Sequence, residues 1–107
     1  MQRLTIVRYK VKPEFVAENE RLSHAVFERL RRDAPSGVVY SLFKEADGQS
    51  FVHLFVNLRE DSSDVLTETP EFQAFTADGA ARWEVPAEVV RLSVGQVDSY
   101  FSSTAEI

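Results

Sequence analysis

The chain has no cysteine among its 107 residues, which removes disulfides, thiolate metal sites and cysteine nucleophiles. A basic excess is missing too. Lysine and arginine number 12 against 17 aspartates and glutamates, a net charge of −5, so general binding to nucleic acid or to an anionic membrane is disfavoured. Arg29, Arg31 and Arg32 do cluster, but beside a predicted helix end, where cations complement the helix dipole. No apolar run is long enough to span a bilayer. The opening stretch MQRLTIVRYK reads as a strand and lacks the apolar centre of a signal peptide. No glycine-rich phosphate loop follows a strand, and no nucleophile elbow is present. The two histidines, His24 and His53, fall in different elements without spaced carboxylates, so neither a metal nor a nucleotide cofactor is indicated. What is left is the expectation of a soluble, cytoplasmic protein.

Apolar patterning is what the chain does have. Its hydrophobic fraction of 44% is that of a globular protein. At this length a single domain buries roughly two-thirds of its unfolded surface. The stretch Phe51–Leu58, FVHLFVNL, is rich in β-branched and aromatic residues and suits a strand. At period two, Phe51, His53 and Phe55 share one face, and Val52, Leu54 and Val56 the other. Both faces are mostly apolar, as in a strand covered on two sides.

The flanking elements follow from periodicity. Leu4 to Val11 alternates as a first strand, with Thr5, Val7, Tyr9 and Val11 on one side. Pro13 and Glu14 suit a helix start. From Phe15 to Leu30 an apolar stripe at 3.6-residue spacing is interrupted by Asn19 and Ser23, with His24 on the opposite, solvent side. Ala34 to Gly37 punctuates the helix end. Val38 to Glu45 is a second strand, joined to the third by a tight hairpin with Asp47-Gly48 at its centre. A short helical piece is expected around Asp64 to Thr67. Thr69-Pro70-Glu71 then caps and opens a second helix, in which Gly79 marks either a close approach or a break, and Pro86 ends the segment. A last strand starts near Val89, with a bulge expected at Gly95. Residues 102–107 read as a C-terminal tail to a domain spanning 1–101.

The order strand, helix, strand, strand, helix, strand is that of the α+β, ferredoxin-like βαββαβ plan, one antiparallel sheet with both helices on one face. Helices cover one sheet face only. The other, being apolar, would be a large exposed patch on a monomer, so a homodimer through that face is expected. The chain resembles the dimeric α+β barrel proteins of the antibiotic-biosynthesis-monooxygenase type. The likeness rests on Arg8-Tyr9-Lys10-Val11-Lys12-Pro13, Phe51-Val52-His53-Leu54, Thr69-Pro70-Glu71-Phe72-Gln73-Ala74-Phe75 and Val94-Gly95…Tyr100, and covers about Leu4 to Phe101. Haem-degrading relatives use asparagine, tryptophan and histidine where approximate alignment gives Val7, Val65 and Thr76. Those acting on quinol-like compounds carry histidines where Leu66 and Glu71 stand.

His53 is the candidate catalytic group, because burial or a partner can tune an imidazole for proton transfer near neutrality. The alternative is a core histidine satisfied by neighbours such as Tyr40, or one in the dimer interface. Asn19 either meets a strand end or lines the same cavity and orients a ligand atom. Tyr9, Tyr40, Phe72, Phe75 and Trp83 either pack as core or line a pocket for a flat aromatic molecule. Arg8 and Arg82 are candidate anion partners or surface ion-pair members. The resemblance implies cofactor-independent monooxygenase chemistry on a small phenol or quinol-like compound, with His53 taking the proton. A non-catalytic homodimer that binds a small ligand, or a stress-accessory protein, is the rival reading.

Overall fold

A computed structural model describes residues 2–59, 66–95, 98 and 100. Its elements are β1 (Gln2–Val11), a 3-10 turn (Pro13–Phe15), α1 (Val16–Asp33), β2 (Val38–Lys44), β3 (Ser50–Asn57), α2 (Pro70–Ala77), α3 (Gly79–Arg82) and β4 (Trp83–Val94). The strands form one antiparallel sheet in the order β2-β3-β1-β4. This is the ferredoxin-like α+β plan expected from the periodicity.

Local chemistry accounts for the joints. The Asp47 carboxylate accepts from the Gln49 and Ser50 backbone N–H groups and from the Ser50 hydroxyl. Those bonds hold its pKa down to about 2, and Gly48 supplies the positive φ of 75° that the β2–β3 turn requires. Helix α1 ends where Ala34 turns left-handed. At the start of α2 the Thr69 hydroxyl accepts from the Phe72 N–H at 3.3 Å, with Pro70 at the first helical position.

The core lies between the sheet and the helices. Tyr9 and Val11 from β1, Phe51 from β3, Val26 from α1, Phe75 from α2 and Leu66 before it are all buried. The opposite sheet face carries Leu4, Ile6, Val52, Leu54 and Val56. There Phe43, Val85, Val90 and Leu92 remain nearly half exposed in the protomer.

Both readings of Gly79 hold: the second helix is two pieces, broken at Asp78, and a Cβ at Gly79 would lie 2.8 Å from Trp83 Cζ2. Two expectations need correction. The last strand begins at Trp83, six residues before Val89, so Trp83 opens β4 and does not close a helix. Pro86 sits inside that strand. Arg8 pairs with Glu88 and Lys10 with Val85, so Pro86 and Ala87 together oppose Tyr9, a bulge on an edge strand where a missing N–H is tolerated. The bulge expected at Gly95 depends on residues outside those described. The helical piece expected at Asp64 to Thr67 lies outside the described residues at Asp64 and Val65, while Leu66 and Thr67 are in a turn; the tail lies outside them too.

Candidate functional site

β3 alternation sends His53 toward the helices, between Val7 of β1 and Leu42 of β2. The ring is 5% exposed and each nitrogen meets a tyrosine. Tyr9 Oη lies 2.7 Å from Nε2, and Tyr40 Oη lies 2.6 Å from Nδ1. Asn19, fully buried on α1, donates from Nδ2 to Tyr9 Oη at 3.0 Å. Its carbonyl Oδ1 accepts from Arg82 Nε at 3.4 Å, which fixes the orientation of the amide. Arg82 is itself buried, donating to the Phe75 carbonyl oxygen and lying over the Phe75 ring at 5.2 Å.

These bonds have a direction. Tyr9 Oη accepts from Asn19, and Tyr9 is buried, so its own proton is best satisfied at His53 Nε2. The neutral imidazole then carries its proton on Nδ1 and donates to Tyr40. Tyr40 is left with an O–H for the cavity it borders. A chain of donors thus runs from the Arg82 guanidinium to the cavity wall.

Burial dominates the electrostatics. It lowers the His53 pKa to about 4, pushes Tyr9 up to about 12 and raises Tyr40 further. All three groups are neutral at pH 7. Unfolded, a histidine titrates near 6.5. Above that pH the imidazole is neutral in both states and stability is unaffected. Between about 6.5 and 4 only the unfolded chain takes the proton, so stability falls with pH and the loss is complete near pH 4. The full loss is on the order of 3 kcal/mol, about 2 of it by pH 5. Urea unfolding at pH 7 and pH 5 should therefore show a larger drop for the wild type than for His53→Gln, which lacks this group. Equal drops would contradict a neutral, buried His53.

The cavity beside this group has a volume of about 370 Å³, within the range of small-molecule sites. Tyr9, Tyr40, His53, Phe72, Phe75 and Trp83 all line it. Asn19 does not. It stands behind Tyr9, two hydrogen bonds removed from His53, which corrects the expectation that its amide meets a ligand. Of the two arginines singled out, Arg8 pairs with Glu45 at the surface, and Arg82 belongs to the buried chain. His24 is exposed beside Glu28. Among the described residues no group of acids and histidines could hold a metal ion, and no helix is long and apolar enough to cross a membrane.

Sequence reasoning missed Arg3 and Arg91, which also line the cavity. The signal was present: Arg3 shares parity with Thr5 and Val7, and Arg91 with Val89.

No protein-family model and no curated protein matches the chain by sequence. Solved structures do match. The Rv0793 protein of Mycobacterium tuberculosis superposes with a TM-score of 0.75 at 21% identity, covering 92% of this chain and 100% of that one. A protein described as an antibiotic biosynthesis monooxygenase gives 0.66 at 21% identity, covering 90% and 100%. A variant of SnoaB, a cofactor-independent oxygenase from Streptomyces nogalater, gives 0.65 at 20% identity, covering 90% and 95%. The chain shares the fold of these proteins. Of the three positions compared above with haem-degrading relatives, Val7 and Thr76 are on the cavity wall, and Val65 lies outside the described residues.

Proposed function

We propose that the protein is a homodimeric, cofactor-independent monooxygenase acting on a phenol or quinol-like aromatic compound in the cavity between sheet and helices. The observation that carries this reading is the neutral His53 held between two tyrosine hydroxyls, Tyr9 and Tyr40, that both border an aromatic-lined cavity.

Such an imidazole moves protons without becoming charged. A substrate hydroxyl gives its proton at Tyr9, the Tyr9 proton passes to Nε2, the Nδ1 proton passes to Tyr40, and Tyr40 passes its own to the O₂-derived oxygen that leaves as water. One proton enters and one leaves, so the low basicity of His53 is no obstacle. The electron-rich ring reacts with O₂ and supplies all the electrons itself. For a hydroquinone, one oxygen atom enters the ring, the other leaves as water, and the ring ends as a hydroxyquinone. The protein contributes proton transfer, orientation and exclusion of water.

The test is O₂ uptake with a panel of hydroquinones and naphthohydroquinones, the product identified by mass. Turnover above the uncatalysed rate is expected, reduced about 10²–10⁴-fold in His53→Gln. Saturable quenching of Trp83 fluorescence by the same compounds, with no O₂ uptake above background, would instead favour a binding protein.

A further inference from the structure

The charged groups on the cavity wall are both guanidinium donors, Arg3 and Arg91. Arg3 faces Ser93 and Arg91 faces Thr5 in the β1–β4 register. They are therefore diagonal neighbours on one sheet face, about 7–8 Å apart at the backbone. Both are exposed, and neither has a carboxylate partner among the described residues. The described wall contains no aspartate or glutamate. The indole N–H of Trp83, also on the wall, is buried and meets no acceptor among the described residues. In a chain of net charge −5, a largely apolar cavity whose charges are both positive calls for an occupant of opposite sign, since adjacent like charges otherwise repel.

We propose that Arg3 and Arg91 form an anion subsite, and that the aromatic ligand bears a carboxylate or similar acidic group which they hold. This rests on the aromatic pocket proposed above. Arg3 lies four residues along β1 from Val7, the partner of His53, a rise of about 13 Å. The acidic group is thus at the end of the ligand remote from His53, and the occupant is an elongated aromatic acid. Guanidinium forks suit carboxylates because two parallel N–H···O bonds fix both position and orientation.

Trp83, the sole tryptophan, reports occupancy by fluorescence quenching. The probes are 2-naphthoate and 2-naphthamide, alike in shape and different in charge, titrated at low ionic strength. The wild type should bind the naphthoate at least tenfold more tightly. In the Arg3→Gln/Arg91→Gln double variant the two probes should bind within twofold of each other, with the amide unchanged. Should that variant fail to fold, Arg91→Gln alone should reduce the preference at least threefold. Equal binding of acid and amide by the wild type would overturn the subsite and leave the aromatic pocket standing. A preference that survives the substitutions would overturn its assignment to these arginines. Quenching by neither probe would remove both the pocket and the subsite.

Discussion

Leu54→Arg is expected to halve the sedimenting mass of the protein. Leu54 is at the centre of the uncovered sheet face, opposite Ile6 of β1 and Ser41 of β2. Around it the exposed Phe43, Val90 and Leu92 extend an apolar surface that no helix among the described residues covers. Burying such a surface against a second copy is favourable at about 25 cal/mol per Å², and a two-fold axis would bring the same patch of both copies together. An arginine there would enter twice, each time desolvated. Each uncompensated buried charge costs several kcal/mol, enough to raise the dissociation constant at least a thousandfold. Sedimentation at 10 µM should give twice the chain mass of 12.1 kDa for the wild type and a single chain for Leu54→Arg, both with native circular dichroism. A wild type that sediments as one chain would contradict the dimer and leave the fold intact.

The sheet was the most legible part of the molecule, because strand parity alone decides which face a side chain takes. His53 and Phe55 fall with Tyr9 and Val7, and Leu54 with Ile6, as alternation requires. The second helical region was less legible. Thr69 and Pro70 announce its start and Gly79 marks its break, but the early start of β4 goes with Trp83 packing against Gly79, a tertiary contact with no local signature. Within the site, His53 and Tyr40 could be paired from strand register. The link from Asn19 through Tyr9 could not, because it joins α1 to β1 by side chains whose meeting depends on how the helix sits. A polar residue within an apolar stripe signalled only that Asn19 needs a partner. Arg82 gave the weakest signal. An arginine at the end of a short helix ordinarily faces water, and only the folded chain shows it buried.

Tyr9→Phe and Tyr40→Phe should separate stability from chemistry. The two hydroxyls flank the same imidazole, but they occupy different places in the hydrogen-bond chain. Tyr9 Oη both accepts from Asn19 and bonds to His53, and Tyr9 is 2% exposed. Removing it orphans a buried amide donor and a buried imidazole acceptor, each worth about 1–3 kcal/mol when unsatisfied, so the loss should be about 2–6 kcal/mol. Tyr40 ends the chain. Its removal orphans the Nδ1 proton alone, beside a cavity that water can enter, and should cost no more than about 1–3 kcal/mol. That difference is a large share of the stability of a small domain and is measurable from urea midpoints at pH 7. Turnover follows a different rule. A proton path that enters at one tyrosine and leaves at the other is cut by losing either, so both variants should fall about 10²–10⁴-fold in O₂ uptake, whatever their stability. Equal stabilities would contradict the direction assigned to the chain. A Tyr40→Phe variant that turns over as fast as the wild type would show that the proton takes another path.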